Sequence, residues 1–596
     1  MVFRKGSSLT LAAMTVAATT VVFFSPAGPV AADTGCPTAA APTQVGGVYE
    51  IDTVDKLQWA KDVGQMSNNY KLTANIDMTG CTWSNGIGSS ATPYTGIFDG
   101  NSKTISNLTV SGANQQNLGL IDFLNGTVSD LTLVSPSVSG TNDWKGSLAG
   151  RLGATGSISN VTATSVNISG NQLSGGLVGQ AASGSTISTV SVSGIVTGTG
   201  TWAGGIAGDS QATITSAVSS VNVTGTNNVG GLAGAMSYAG TFISSRSTGN
   251  VTGSYGVAGA VGSVAGVRPS CGTLTGVTTS GTISGSTQVG GLFGAANCYF
   301  INQSSSSASV TASADKAGGL VGYENNSGDI NRSFFTGQVQ ATEIVGGIGG
   351  LLRGQVRSTY STGAVTATSG TNGGRAGGLI GWVSGAQVEH SFAAGIVTPP
   401  SSGSTSTTGG LFGNYASGTL LNSVWDMTAS GRATSGGSFA KGFTTQQLRN
   451  YVLYNSDNLN WSITNGISSG DGVTTGTTWS ICSGVASGYP FLTWQGLSGS
   501  CQPTMAYNGN GSTSGTAPSD GSTPYTSGAT VTVAGNTGTL AKTGSIFAGW
   551  NTKANGSGTP YSAGDTFTIT SPVMLFAQWT ALPTITYASN GGLGSI

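Results

Sequence analysis

The pentapeptide Gly175-Gly-Leu-Val-Gly179 is the most informative part of the sequence, because close copies of it recur along the chain. Copies of the same pattern begin at Gly204, Gly230, Gly290, Gly318, Gly346, Gly377 and Gly409, and degenerate copies begin at Leu118, Gly146 and Ala258. The intervals run from about 26 to 32 residues, a range typical of solenoid repeats. Each copy is therefore predicted to mark one turn of a solenoid.

A second pattern inside each repeat predicts strands. An aliphatic residue is followed nine positions later by another, in the pairs Ile187 and Val196, Ile214 and Val223, Leu274 and Ile283, Ile301 and Val310, Ile330 and Val339, Val356 and Val365, and Val388 and Val397. Apolar and hydroxyl residues alternate around these pairs with the two-residue period of a strand. Paired glycines suit corners that need a positive φ or a close approach of two backbones. The predicted fold class is all-β, a parallel β-helix of about eleven turns and, at ~4.8 Å per turn, roughly 50 Å long.

Two sets of side chains test this register. Phe334, Tyr360 and Phe392 each lie four residues after the first aliphatic residue of their turn, which predicts an aromatic stack along three turns. Arg357 and Glu389 each lie one residue after it, which predicts an ion pair between turns that contributes little stability. All these side chains are interpreted as structural.

The six cysteines are predicted to form disulfides, because an even number in an exported chain favours disulfides over a metal site. Cys271 and Cys298 each lie twelve residues before the second aliphatic residue of their turns, so they should stack within disulfide range. The natural remaining pairs are Cys36 with Cys81 and Cys482 with Cys501. Sequence alone leaves their connectivity open.

The first 32 residues are interpreted as a signal peptide. Arg4 and Lys5 precede an apolar stretch from about residue 9 to residue 24, and small residues precede a cleavage site after Ala32. The alternative is an uncleaved anchor, although the apolar run is slightly short for a membrane span. The chain is therefore expected to be secreted or to lie at the cell surface, without membrane insertion after cleavage. Net charge is −1 and only 7% of the residues are charged, so nothing favours a nucleic-acid partner.

Composition and motifs divide the rest of the chain. A helical stretch at 53–61 starts an N-terminal cap, and a short helix around 444–451 belongs to a C-terminal cap. Beyond them, the pattern at 503–511 recurs eighty residues later at 583–591. The predicted segments are 33–117 (cap and first strands), 118–422 (repeats), 423–502 (C-terminal cap), 503–580 (a small β-rich module) and 581–596 (the start of a second, truncated module).

Both halves resemble known families. The recurring pentapeptide, with 98–109 ahead of it and Gly488-Tyr-Pro-Phe-Leu492 behind it, resembles the GLUG-motif proteins of bacterial surfaces over roughly 48–495. That resemblance implies a right-handed parallel β-helix. The motifs at 547–551, 556–561 and 575–579 resemble the Listeria–Bacteroides repeat, also called the internalin-type B-repeat, which implies a compact β-grasp-like module. Neither resemblance supplies a catalytic residue. Trp550 and Trp579 are interpreted as core residues, with ligand platforms as the alternative.

A search for catalytic chemistry yields one candidate pair. His390 is the only histidine, so an ordinary multi-histidine zinc site is excluded, and no cofactor or metal is predicted. Only nine acidic residues lie between residues 120 and 413. Of these, Asp315 and Glu343 each precede the second glycine of their pentapeptide by four positions, so they should stack on adjacent turns, close enough for each to affect the other's pKa.

Two functions of different class follow. The first is a bacterial adhesin or structural stalk that is not an enzyme, with glycans, extracellular matrix or other cells as partners. The alternative is a polysaccharide lyase or glycoside hydrolase that uses Asp315 and Glu343, because β-helices often cleave glycans and such reactions need paired acidic groups. Scarce acids and the tandem module favour the adhesin.

Overall fold

A computed structural model describes residues 32–112, 116–141, 144–369, 374–400, 407–455, 458–467 and 477–583. The described chain is 54% strand and 5% helix, and most of it forms a parallel β-solenoid of about 12 turns. The predicted all-β solenoid is confirmed. The signal peptide lies almost entirely outside the described residues, as does most of the second, truncated module.

One turn illustrates the architecture. The turn from Phe334 to Arg357 contains the strands Phe334–Phe335, Gln338–Ala341, Ile344–Gly346, Gly349–Leu352 and Gln355–Arg357. Each of these strands pairs in parallel with its equivalent on the next turn. The predicted spacing of aliphatic residues is confirmed in the ladder, where Ile330 pairs with Val356 and Val356 with Val388.

The pentapeptide combines a buried side chain with closely packed backbone. Its third residue is fully buried in every turn, as at Leu177, Ile206 and Leu232. A Cβ atom on Gly176 or Gly205 would lie less than 3.0 Å from the carbonyl oxygen of the equivalent glycine one turn further along. Neither glycine has a φ in the left-handed region. Of the two roles left open by the sequence, the paired glycines therefore serve close backbone approach.

The left-handed corner lies elsewhere in the turn, just after the first aliphatic strand. Eleven stacked positions there have a positive φ, and only one is glycine: Asp130, Asn160, Thr189, Ser216, Ser244, Gly276, Gln303, Arg332, Ser358, His390 and Asn422. A left-handed conformation is unfavourable for most side chains. The pairing of strands on both sides of the corner must therefore impose it.

A ladder of buried hydroxyl groups follows this corner. The Ser304 hydroxyl donates a hydrogen bond to the Asn302 carbonyl oxygen at 2.8 Å and accepts one from the Val277 N–H of the preceding turn at 3.0 Å. The Ser304 N–H in turn donates to the Ser333 hydroxyl at 3.1 Å. The same pattern recurs at Ser391. Each hydroxyl thereby satisfies a backbone N–H that the corner turns away from the strand ladder.

A helix and a disulfide cover the N-terminal end of the solenoid. The predicted helix is confirmed at Val54–Asp62, with Leu57 and Ala60 buried. Between them, the Gln58 side-chain oxygen accepts a hydrogen bond from the buried Trp83 indole at 2.7 Å. Cys36 and Cys81 form the expected disulfide beside this helix.

The parallel ladder continues past residue 422 into the segment interpreted as the C-terminal cap. The strand Val424–Asp426 pairs with Phe392–Ala393 on one side and with Lys441–Phe443 on the other. The cap then contains two short helices, Met427–Ser430 and Thr445–Leu448. It also contains three 3₁₀ turns, at Tyr451–Leu453, Ala486–Gly488 and Thr493–Gln495. A small sheet is formed by the strands Ile463–Asn465, Trp479–Ile481 and Phe491–Leu492. The helix expected around 444–451 is thus present as two short pieces.

The C-terminal module is built from two small sheets. One contains, in order across the sheet, Met505–Asn508, Val573–Ala581, Ser545–Asn551 and Pro560–Tyr561, and the other pairs Ala529–Thr532 with Thr566–Ile569. The Met505–Asn508 and Val573–Ala581 pair is parallel and the others are antiparallel. The first and last strands of the module therefore lie side by side.

We predict that Gly205→Ala destabilises the solenoid by about 1–3 kcal/mol or more, because the new Cβ would meet the rigid backbone of Gly231. Urea unfolding followed by circular dichroism measures this loss. Gly521→Ala is the matched control, because its Cβ would meet nothing within 4 Å and its φ is not left-handed. Equal midpoints for the two variants would refute close approach as the role of Gly205.

The hydroxyl ladder gives a second prediction. Ser304→Ala leaves the buried Val277 N–H without its acceptor, so we expect a loss of about 1–3 kcal/mol in the free energy of unfolding. The control is Ser307→Ala, an exposed serine of the same turn, which should change stability by less than about 0.5 kcal/mol. A Ser304→Ala variant as stable as the control would contradict the ladder.

Candidate functional site: an aromatic and cationic flank

Asp315 and Glu343 lie on adjacent turns, as their spacing predicts. The Glu343 N–H donates a hydrogen bond to the Asp315 carbonyl oxygen at 3.3 Å. The Asp315 carboxylate forms an ion pair with its neighbour Lys316 and accepts a hydrogen bond from the Thr287 hydroxyl at 3.4 Å. The structure therefore places the two acidic residues at paired positions of adjacent turns, with a cation beside the first.

Two columns of side chains follow this pair in the turn, and together we call them the flank. In the first column, Lys316 pairs with Ile344 and Ile344 with Arg375. In the second, Tyr323 pairs with Leu351 and Leu351 with Trp382. The columns precede and follow the pentapeptide of each turn, and the tight glycine corner between them brings them face to face.

Contacts between cations and rings join the two columns. The Lys316 ammonium lies 5.4 Å from the Tyr323 ring centroid, and the Arg375 guanidinium lies 4.4 Å from that of Trp382. Both rings are half-buried. Such contacts hold a cation in place while keeping it at the surface.

Arg353 lies on the turn between them and is held by Glu324. The Glu324 carboxylate is 1% exposed and accepts hydrogen bonds from the Arg353 N–H at 2.9 Å and from the Tyr299 hydroxyl at 3.3 Å. Burial raises the pKa of this carboxyl, against the hydrogen bonds that lower it. The Arg353 guanidinium donates to the Glu324 carbonyl oxygen and lies 5.6 Å from the Tyr323 ring centroid. Sequence reasoning missed Glu324, and its place two residues after a pentapeptide was the one available signal.

The same flank carries a second cluster nearer the N-terminus. The Arg151 guanidinium lies between two rings, 4.9 Å from the Phe123 centroid and 4.8 Å from that of Trp144. Burial lowers the pKa of Arg151. All three tryptophans between residues 118 and 422 are on this flank, since Trp202 continues the first column as Trp144 does. Arginine stacked on an aromatic ring is thus a recurring feature of one flank.

The predicted aromatic stack is confirmed, and the cap covers it. Phe334, Tyr360 and Phe392 stack with centroids 4.9 and 5.1 Å apart and planes 5° from parallel. The Trp494 indole packs on Phe334 at 5.7 Å and donates a hydrogen bond to the Arg332 carbonyl oxygen at 2.8 Å. The stack therefore docks the C-terminal cap against the side of the solenoid.

The other structural interpretations are also confirmed. Arg357 and Glu389 form an ion pair at 3.4 Å. Cys271 and Cys298 are linked, with Cα atoms 4.9 Å apart, and Cys482 is linked to Cys501. No three His, Cys, Asp or Glu side chains in the described ranges are grouped so that they could hold a metal ion.

Both tryptophans of the C-terminal module contact its apolar core. Trp550 is 1% exposed and donates a hydrogen bond to the Ala534 carbonyl oxygen at 2.9 Å. Trp579 is half-buried, and its ring centroid lies 5.8 Å from that of Phe547. The core interpretation is confirmed for Trp550, and Trp579 packs at the edge of the same core.

Comparison with known sequences supports one of the two family resemblances. Residues 504–578 match the Listeria–Bacteroides repeat domain. The GLUG-motif resemblance of the solenoid remains a prediction.

Three curated relatives each match part of the chain. A halomucin of Haloquadratum walsbyi is 36% identical over 135 residues, which is 21% of this chain and 1% of the relative. Two proteins of Evansella cellulosilytica described as membrane proteins, one of them Gly-rich, are 50% and 46% identical over 56 and 74 residues. These matches cover 9% and 12% of this chain and 6% and 11% of the relatives. The chain thus spans a small part of each relative.

A solved structure from Bacteroides ovatus, described as that of a candidate immunoglobulin A1 protease, aligns over 75% of this chain and 92% of its own. The identity is 17% and the TM-score is 0.24. Across the described residues, no helix is long and apolar enough to cross a membrane.

His390 lies at a left-handed corner, and its ring meets Trp461 edge-on at 6.2 Å. Burial lowers its pKa, and the charge of Glu389 opposes this only in part. The fold therefore favours neutral imidazole. The stabilisation that neutral His390 contributes is present above the pKa of about 6.5 that this residue has in the unfolded chain. It is lost as the pH falls through the lower pKa of His390 in the folded chain.

We predict that the single imidazole titrates below pH 6.5 in the folded chain and returns to about 6.5 in urea, as measured by NMR. The variant His390→Asn keeps a residue tolerant of the left-handed conformation and should lose this part of the acid sensitivity. A folded-state midpoint at or above 6.5 would show that burial does not control the charge of His390.

Proposed function

We propose that the protein is a secreted or cell-surface binding protein, a rigid β-helical stalk that presents a lateral flank to its ligand without catalysing a reaction. The observation that carries the proposal is the docking of the C-terminal cap, which joins the solenoid to the repeat module. In this arrangement the rod would hold the flank at a fixed distance from the module. Glycans, extracellular matrix or other cells are the proposed partners.

Contacts between the cap and the module support the stalk. The buried Asn450 amide donates hydrogen bonds to the carbonyl oxygens of Val573 at 2.7 Å and Thr504 at 3.2 Å. The Gln447 amide donates to the Tyr507 carbonyl oxygen at 2.7 Å. Met574 and Phe576 of the module are part of the same apolar cluster as the aromatic residues of the cap. Buried polar and apolar contacts of this kind favour a fixed junction.

The location and the family support a surface role. The Listeria–Bacteroides repeat is typical of surface proteins, and two of the curated relatives are described as membrane proteins. The described solenoid ends in folded caps rather than in exposed strands, as expected for a stable extracellular rod.

A polysaccharide lyase or glycoside hydrolase is the second candidate, because Asp315 and Glu343 lie on adjacent turns. Paired carboxylates are the machinery of glycan cleavage. The Asp315 carboxylate is already engaged by the Lys316 ammonium and the Thr287 hydroxyl, which favours a binding role over catalysis.

The test is a glycan array incubated with the purified full chain, with Asp315→Ala and Glu343→Ala variants in parallel. Retention of a glycan and release of reducing or unsaturated ends are both measured. We expect retention without product for the parent chain and for both variants. Turnover that either variant abolishes would show that the protein is an enzyme rather than a stalk. Absence of retention on every glycan would refute glycan binding.

A further inference from the structure

We propose that the flank around Tyr323 and Trp382 binds an acidic polysaccharide, whose carboxylate groups pair with the guanidinium groups of Arg353 and Arg375. This inference rests on the proposed binding function and specifies its ligand class and site. A second arginine held against aromatic rings is Arg151, so the flank combines a guanidinium group with aromatic rings near both ends of the solenoid.

The arginines are placed before any ligand arrives. Arg375 lies 4.4 Å from the Trp382 ring centroid, and Arg353 is fixed both by the Tyr323 ring at 5.6 Å and by its bond to the Glu324 carbonyl oxygen. A guanidinium that lies over a ring keeps N–H donors at its edge in a rigid fork that matches a carboxylate. Because these side chains are already ordered, binding costs less rotamer entropy than it would for free arginines.

The spacing suits a polymer of sugar acids. Tyr323 and Trp382 belong to one column and are separated by Leu351, so two strand spacings, about 10 Å, lie between them. This span is on the scale of a disaccharide laid along the solenoid axis. Half-buried aromatic rings suit the apolar faces of sugars, and the intervening cations suit their acid groups. A chain with repeating acidic units would therefore meet repeating groups of the protein.

The charges of the flank give the proposal a distinctive signature. Lys316 adds a third cation but is paired with Asp315. Glu343 lies one turn further along, and its negative charge opposes an acidic ligand. Removing that charge with Glu343→Gln should strengthen binding, whereas loss of a catalytic acid would abolish turnover. The same substitution thus separates the two roles.

The experiment measures retention of the full chain on immobilised polygalacturonate at two salt concentrations. The double variant Arg353→Gln/Arg375→Gln should lose affinity by about tenfold or more, and parent affinity should fall as salt rises. Methyl-esterified polygalacturonate is the uncharged control ligand. Arg357→Gln is the control variant, because it removes a surface arginine that is paired with Glu389 away from the flank.

The inference is supported if the parent prefers the acid form, the double variant weakens binding, Arg357→Gln does not, and Glu343→Gln strengthens it. Equal retention of the methyl ester, an unaffected double variant, or equal retention on poly-glutamate would overturn it. If only neutral glycans are retained, the proposal of an acidic ligand is refuted, whereas the proposed binding function is supported. If no glycan is retained, the acidic ligand and glycan binding in general are both refuted. Thermal melting of each variant confirms that the fold is intact.

Discussion

The close approach of backbone at the paired glycines is the constraint on which the structure depends. The space that a Cβ would occupy on Gly205 is taken by the carbonyl oxygen of Gly231 on the next turn. A corner this tight turns the following leucine or isoleucine into the interior and sends the chain back beside the strand it has just left. The buried column, the strand register and the pairing of flank columns all follow from that reversal.

Much of the solenoid was predictable, because a register that is correct for one repeat is correct for the repeats that stack on it. The nine-residue spacing of aliphatic residues placed Cys271 opposite Cys298 and Arg357 opposite Glu389, and both contacts are present. The left-handed corner was not predicted, since residues as different as Thr189 and His390 occupy it. There the backbone conformation is imposed by pairing of neighbouring strands, and the residues tolerant of it, such as Asn160, are too few to reveal it.

The candidate site was predictable only in its acidic half. Asp315 and Glu343 are related by the repeat interval, whereas Lys316 and Tyr323 are related by the geometry of the corner between them. A contact across the corner does not correspond to any repeat interval in the sequence. The same is true of the hydrogen bond between Trp494 and Arg332, which are 162 residues apart. The docking of the C-terminal cap depends on the shape of the folded solenoid, which the sequence does not reveal directly.

The docking of the cap also determines how the molecule would carry a mechanical load. Trp494 is bonded to the backbone at Arg332 and Trp461 to the backbone at Asn422, and these corners lie three turns apart. Tension that enters through the repeat module is therefore shared among several turns of the rod at once. A pull on the module would therefore have to break contacts with several turns before it separated the cap from the rod.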